Sequence, residues 1–461
     1  SSSLVAAGVF GATLSSALSS MMGAPRVLQS LARDGVFKAL KPFARGGRTD
    51  REPKRAIVLT FALAETGVLL SDLNTIAPLI TMFFMITYGA INLSCFYESI
   101  TGNPSFRPLF RLSHWSIGLA GAAVCAFGML LVAPAWAAFA VTCISALLYY
   151  VKQREVVSRW GDVRWGNAYE QARRALLRLE EEPYHPKSWR PSILAVRRGR
   201  WTTGYRAAEY ASWLQGGRSI VTLAEIIQGE VAERMELRRT ELAQARAFIR
   251  DEDLDAFSAV VVDEDLVRGL RTLLQSHGIG SIHPNTVLFE WQEAPELANE
   301  MATLVDTARA FECSAVALRT NPALPRWEAR SGTIDVWWHS RKNGALMLMF
   351  AHLITYSHAW RDRPIRLLHA VATPSERDEM LPAMQELITT ARVRAQPEII
   401  VTGDAADALA ANSFDAAVVI LGIDPPETRS PQLWHEEICK LLHNLDEALL
   451  VSNAGEVRLG D

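Results

Sequence analysis

Long apolar runs dominate the first third of the chain. Five of them follow one another at short intervals, at 4–24, 56–73, 76–97, 115–132 and 135–151. Each run approaches the roughly 20 residues that a helix needs to cross a bilayer. A soluble protein could bury the last two runs as a helical hairpin. Five runs in succession instead favour an α-helical membrane bundle of about five spans over residues 1–152.

After residue 152 the pattern changes to short β-branched runs that alternate with helical periodicity. Alternation of this kind predicts a parallel α/β sheet. Helical periodicity is clearest at 231–250, 345–358 and 433–445. The predicted strands lie at 192–196, 219–226, 258–262, 286–291, 314–318, 334–338, 365–371, 399–401, 417–421 and 448–452.

The length of this α/β region predicts two lobes, at 186–325 and 326–461. Pro325 and Gly332 interrupt the pattern close to the boundary between them. Residues 153–185 precede the first lobe and are predicted to be a linker with a scissor-type helix.

The charge pattern disfavours nucleic acid as a partner and predicts an orientation. The formal net charge is −3, so the chain has no overall basic field. Lys and Arg occur at 25–55, at 98–114 and directly after the last run, whereas the turns at 71–74 and 133–134 carry none. Because positive connections stay in the cytoplasm, we expect the α/β region to be cytosolic and the first run to enter from outside. This orientation, and a start at Ser1, lead us to expect further helices upstream.

Small and hydroxyl residues are concentrated in the first run, which reads GVFGATLSSALSSMMGAPR over 8–26. Small residues let helices pack closely, and oxygen atoms can bind an alkali cation where water is excluded. The hydroxyls of Ser15 and Ser16 and the carbonyl of Ala12 could converge on one helix face, although a packing face is the alternative. Tyr88 offers a hydroxyl to an anion or to a neighbouring carbonyl. Glu65 is an ionisable group within a run, which indicates either a function or a polar structural partner.

Motifs of enzyme or nucleotide chemistry are lacking in the α/β region. The sequence contains no GxGxxG or GxxxxGK[ST] loop, and Gly278-Ile279-Gly280 precedes a strand. The five cysteines lack zinc-site spacing and are read as free thiols. We therefore expect no enzyme activity, no cofactor and no metal site beyond one for an alkali cation. His339, His352 and His358 could suggest a metal site, but we interpret them as surface or packing residues. Ser276-His277 and Asp335 could suggest a catalytic triad, but no nucleophile elbow accompanies them.

Several ordered strings resemble the cation–chloride cotransporter family. In the membrane half they read GAPRVLQSLARDGVF at 23–37 and EPKRAIVLTFALAETGVLLSDLNTIAPLITMFFMITYGAINLSCF at 52–96. In the α/β region they read SHGIGSIHPNTVLFEW at 276–291 and GTIDVWWH at 332–339. The strings of the α/β region are most similar to the potassium–chloride branch of the family.

The resemblance implies a fold of the amino acid–polyamine–organocation superfamily, built from two inverted repeats. The five runs would be helices eight to twelve, the second part of that fold, and the potassium ligands would lie on earlier helices. Sodium ligands are implied at Ala12, Ser15 and Ser16, although the potassium–chloride branch has glycine and alanine in place of the two serines. A chloride ligand is implied at Tyr88. No ligand role is implied for Glu65.

The expected function is secondary active symport of chloride with sodium and/or potassium. The transported ions would then be Na⁺, K⁺ and Cl⁻, the partner would be the lipid bilayer of the cell membrane, and a regulatory cytosolic domain would form a homodimer. Two alternatives stay open. A permease of the same fold could carry amino acids or other solutes, and a membrane-anchored protein could sense nucleotides through its α/β lobes.

Overall fold

The chain folds into two compact units, Ser1–Arg174 and Ala175–Asp461, which we call the helical unit and the α/β unit. The computed structural model describes residues 2–35, 37–45, 52–70, 72–101, 114–153, 163–183, 185, 188–201, 205–321, 324–426 and 429–455.

Apolar α-helices make up most of the helical unit. Three of the described helices are long and apolar enough to cross a membrane, over Ser3–Arg33, Ile76–Ile100 and Trp115–Val132. A shorter apolar helix covers Pro134–Leu147. The helices are α1 (Ser2–Arg33), α2 (Lys54–Leu70), α3 (Leu73–Thr101), α4 (Trp115–Val132), α5 (Pro134–Gln153) and α6 (Val163–Glu181), the last of which ends in the α/β unit.

Each predicted apolar run overlaps one of these helices. The run at 115–132 coincides with α4, whereas α1 continues through Pro25 to Arg33 and α2 ends at Leu70. Helix-forming residues follow Pro25, so the helix continues although the proline lacks an N–H to donate. The number of five spans stays a prediction. Five of the basic residues behind the predicted orientation lie outside the described residues, namely Arg48, Arg51, Arg107, Arg111 and Arg154.

The surface of the helical unit is strongly apolar. Leu4 is 80 % exposed and Phe10 is 76 % exposed, and the middle of α3 exposes Phe83 in the same way. An apolar surface of this extent is typical of contact with lipid rather than with water. A small buried cluster forms where α3, α4 and α5 meet, around Met82 and Met129.

One ten-stranded sheet forms the centre of the α/β unit, in the order β3-β2-β1-β4-β5-β10-β9-β6-β7-β8. Each of the ten predicted strands overlaps an observed one. The strands are β1 (Ser192–Arg198), β2 (Ile220–Gln228), β3 (Phe257–Asp263), β4 (Thr286–Glu290), β5 (Ser314–Arg319), β6 (Ile334–Trp337), β7 (Ile365–Val371), β8 (Ala395–Val401), β9 (Val418–Gly422) and β10 (Ala448–Ser452).

The sheet consists of two halves with the same topology. Within β1 to β5, and again within β6 to β10, the strands are parallel and the first strand of the half lies between the second and the fourth. The halves join where β5 and β10 pair antiparallel, with Ala315 opposite Ser452 and Arg319 opposite Ala448. The prediction of a parallel sheet is therefore wrong at this pair, and the sheet is mixed. The physical reason is that two like halves related by a twofold rotation present their fifth strands in opposite directions.

Helices cover both faces of the sheet and create two cores. Helices α7, α8, α11 and α12 contribute to the core on one face, and α9, α10, α13 and α14 contribute to the core on the other. Two helices on each face in each half are what right-handed crossovers produce. The helices are α7 (Tyr205–Gln215), α8 (Val231–Asp251), α9 (Leu266–Ser276), α10 (Ala298–Ala310), α11 (Arg341–Ile354), α12 (Pro374–Ala391), α13 (Ala405–Asn412) and α14 (Pro431–Leu442).

Candidate ion-binding site

The three predicted cation ligands lie on one face of α1. Ala12, Ser15 and Ser16 are three and four residues apart in a continuous helix, so they are neighbours on its surface. All three are exposed within the chain. The carbonyl of Ala12 accepts the backbone N–H of Ser16 in a regular α-helix, and it keeps a second lone pair for a ligand.

The hydroxyls of Ser15 and Ser16 differ from those of nearby threonines. Thr13 Oγ1 donates to the carbonyl of Val9 at 2.8 Å, as hydroxyls inside helices commonly do. Within the described residues, neither serine hydroxyl makes such a bond. Their oxygens are therefore available to a cation that approaches this face of α1.

Tyr88, the predicted chloride ligand, lies on α3. Its side chain is 56 % exposed, and its ring stacks on that of Phe84 with 6.2 Å between the centroids. The hydroxyl has no hydrogen-bond partner among the residues that the structure describes. A phenol O–H in this state can donate to an anion.

The predicted ligands belong to two groups of helices. Helix α1 packs against α2, whereas α3 packs against α4 and α5. The structure thus brings Ala12, Ser15 and Ser16 together and places Tyr88 in the other group. Glu65 lies exposed on α2.

The seam between α3 and α4 lies directly beside Tyr88 and is absent from the expectations drawn from the sequence. The two helices run antiparallel and approach closely because glycines face the neighbouring helix. A Cβ atom at Gly118 would lie 2.9 Å from the carbonyl oxygen of Asn92, and one at Gly89 would lie 3.3 Å from Cβ of Cys125. The spacing of Gly118, Gly121 and Gly128 is the signal that could have predicted this approach.

A buried ionic cluster, the Arg206 cluster, connects the two halves of the α/β unit. Arg206 donates from Nε to Glu447 at 2.6 Å and from Nη1 to Glu209 at 2.7 Å. The hydroxyl of Tyr210 also donates to Glu447, at 2.7 Å. Burial raises the pKa of Glu209, although its hydrogen bonds to Trp327 and Arg206 oppose the shift. These contacts are structural, because they satisfy each buried charge within the fold.

A second carboxylate, Asp335 on β6, is fully buried and has four donors. Arg366 donates to it from Nε at 2.8 Å and from Nη2 at 2.6 Å, and the hydroxyls of Thr333 and Ser413 donate at 2.6 Å. His277 has a different partner, since its Nε2 lies 2.9 Å from the hydroxyl of Thr222. The structure therefore does not assemble a catalytic triad from His277 and Asp335.

Two further features of the α/β unit bear on metals and ligands. Among the residues that the structure describes, no group of three or more His, Cys, Asp and Glu side chains could hold a metal ion.

A cavity of about 270 Å³ opens at the carboxyl ends of β1 and β4, where Arg197, Glu290 and Glu300 are among the lining residues. Parallel sheets often bind ligands at such a point. The connection after β1 begins Gly199-Arg200-Trp201 and lacks a glycine-rich phosphate loop.

Two family models match consecutive parts of the chain. The model of the amino acid permease family matches residues 1–195, which include α1 to α6. The model of solute carrier family 12 matches residues 208–328, which extend from α7 past β5.

Two solved structures are similar to part of the chain. One is the cytoplasmic domain of a prokaryotic cation chloride cotransporter, at 14% identity and a TM-score of 0.43, covering 58% of this chain and 97% of that one. The other is a universal stress protein from Archaeoglobus fulgidus, at 9% identity and a TM-score of 0.42, covering 57% of this chain and 97% of that one.

The order of the two family matches agrees with the two units of the fold. A helical region of the permease type, with helices able to span a bilayer, precedes an α/β region matched by solute carrier family 12. The chain therefore combines apolar helices of the kind that integral membrane proteins have with similarity to the amino acid permease family over residues 1–195 and to solute carrier family 12 over residues 208–328.

Proposed function

We propose that this chain is part of a secondary active transporter that moves chloride together with sodium and/or potassium. The observation that carries the proposal is the order of the permease match and the solute carrier family 12 match on one chain. In this proposal α1 to α5 are five spans of an inverted-repeat fold, and ions bind near the bilayer midplane. The α/β unit lies in the cytoplasm, where it regulates transport and forms a homodimer.

The proposed sodium ligands are the carbonyl of Ala12 and the hydroxyls of Ser15 and Ser16. Hard cations prefer oxygen ligands, and the two hydroxyls make no hydrogen bond within the described residues. The cation needs more oxygens than these three, so other helices complete the site. Tyr88 is the proposed chloride ligand, since a neutral O–H donor binds an anion without fixing it permanently.

The cation site is tested by chloride uptake into vesicles that contain the full-length gene product. Ser15→Ala combined with Ser16→Ala should abolish the sodium dependence of uptake, because both hydroxyl ligands are lost. Thr13→Val is the matched control, since it removes a hydroxyl that already donates to Val9. Unchanged sodium dependence in the double alanine variant contradicts the sodium assignment.

The anion site is tested by the chloride concentration dependence of the same uptake. Tyr88→Phe removes the hydroxyl and keeps the ring that stacks on Phe84. The apparent KM for chloride should rise, and the maximal rate should change less. An unaltered KM contradicts the role of Tyr88.

A second candidate function is amino acid transport, which the permease match over residues 1–195 favours. The two functions differ in the substrate that the vesicles accumulate. Uptake of labelled amino acids without any movement of halide under sodium or potassium gradients supports the permease. Chloride uptake that amino acids neither replace nor compete with supports the cotransporter.

A further inference from the structure

We propose that Asn92 is a positioning residue that holds the turn of α3 carrying Tyr88, and that α4 holds Asn92 in place through Gly121. The inference rests on the proposed role of Tyr88 in binding chloride. It assigns Asn92 no contact with the ion. Its basis is a hydrogen bond of 2.8 Å from Nδ2 of Asn92 to the carbonyl oxygen of Tyr88.

The hydrogen bond of Asn92 differs from ordinary helix geometry. In an α-helix the carbonyl of Tyr88 already accepts the backbone N–H of Asn92, four residues later. The side-chain amide adds a second donor to the same oxygen. A polar amide in a lipid-spanning helix is costly unless it is hydrogen-bonded. The amide therefore stays on the Tyr88 carbonyl, which fixes the peptide from which the phenol side chain extends.

Helix α4 leaves Asn92 little room to move. A Cβ atom at Gly121 would lie 2.5 Å from Oδ1 and 2.7 Å from Cγ of Asn92, which is shorter than any ordinary contact of a Cβ atom. Any side chain at position 121 must therefore displace the amide. Gly128 on the same helix differs, because a Cβ atom there would lie 3.6 Å from Sδ of Met85, an ordinary contact. Gly121 thus keeps the amide of Asn92 in place, and this amide in turn holds the carbonyl of Tyr88.

The first test compares two side chains of the same shape at position 92. Thr81 and Thr87 on α3 donate to the carbonyls of Ala77 and Phe83 at 2.9 and 2.8 Å, so threonine reaches the carbonyl four residues earlier in this helix. Asn92→Thr should restore a donor to Tyr88, whereas Asn92→Val should not. In the full-length gene product, with surface abundance measured for each variant, we expect the valine variant to raise the KM for chloride by roughly two- to tenfold. The threonine variant should stay within about twofold of the parent, since the donor is kept.

The second test changes α4 and leaves Asn92 itself intact. Gly121→Ala should raise the KM for chloride in the same way as Asn92→Val, because the methyl group displaces the amide. Gly128→Ala is the matched control and should leave the KM unchanged. If Asn92→Val does not reach the membrane, this glycine pair decides the question.

Three outcomes separate failure of this inference from failure of the proposed function. If Tyr88→Phe raises the KM for chloride while Asn92→Val and Gly121→Ala lower only the maximal rate, Tyr88 binds chloride and Asn92 does not position it. Equal effects of Asn92→Val and Asn92→Thr also overturn the inference. If Tyr88→Phe leaves the KM unchanged, the proposed role of Tyr88 is wrong, and the inference falls with it.

Discussion

Replacing Glu447 tests whether the Arg206 cluster stabilises the α/β unit. Glu447 precedes β10, and its carboxylate is fully buried. It accepts Nε of Arg206 at 2.6 Å, Nη2 of Arg206 at 2.9 Å and the hydroxyl of Tyr210 at 2.7 Å. Glu447→Ala leaves the guanidinium and the phenol buried without these bonds.

The expected loss follows from what remains around Arg206. Removing one partner of a buried ion pair costs about 3–5 kcal/mol. Glu209 stays 2.7 Å from Nη1 of Arg206 and still balances its charge. The loss should therefore lie near the lower limit, at about 3 kcal/mol. If the free energy of unfolding falls by about 3 kcal/mol per molar urea, this loss should lower the urea concentration at the unfolding midpoint by about 1 M.

The assay is urea unfolding of the α/β unit, followed by circular dichroism. Residues of this unit alone form both of its cores, so we expect it to fold when expressed by itself. Glu437→Ala is the matched control, because Glu437 forms an exposed ion pair with Arg429 at 2.8 Å. That control should cost less than about 1 kcal/mol. A loss for Glu447→Ala no larger than the control's would refute the reasoning.

Three further predictions concern the same unit and the same unfolding assay. Gly332→Ala should cost more than about 2 kcal/mol, because φ is +134° and a Cβ atom there would clash with the carbonyl oxygen of Asp415. Gly403→Ala should cost much less, because a Cβ atom there would have nothing within 4 Å. Burial raises the pKa of Glu209, so its contribution to stability is complete below the unfolded pKa of about 4.3 and is lost as pH rises through the folded value. Glu209→Gln should remove this loss. Burial lowers the pKa of His277. The contribution of His277 to stability is therefore complete above the unfolded pKa of about 6.5 and is lost as pH falls through the folded value. His277→Gln should flatten this dependence of stability on pH.

The sequence predicted strands well because burial on both faces leaves a local pattern. Strands β7 and β10 begin and end at the predicted residues. Helices were harder to predict. Helix α11 begins four residues before the predicted start at 345, and α7, α9, α10, α12 and α13 were not predicted individually. In α7 most side chains are buried, so the amphipathic period that identifies a surface helix is missing.

The pairing of strands could not be predicted from the same pattern. A run of buried β-branched residues indicates that both faces of the sheet are covered at that strand. It does not indicate which other strand pairs with it. The contact between β5 and β10 joins segments more than a hundred residues apart, and its antiparallel direction depends on how the two halves meet. The ion pair of Arg206 and Glu447 likewise joins residues 241 positions apart, and a local sequence pattern cannot indicate a partner at that distance.

The polarity of single residues in the sequence indicates some of the polar groups that matter in the helical unit and misses others. A polar group inside an apolar run is costly without a partner, and Glu65 is such a group. The same holds for Asn92, which occupies an apolar helix and lies at the seam with α4. Among the described residues Glu65 has no hydrogen bond, whereas the amide of Asn92 donates to the Tyr88 carbonyl and lies against Gly121. After Tyr88 itself, the amide of Asn92 is thus the intramembrane polar group whose replacement should change the KM for chloride, whereas replacing Glu65 should not.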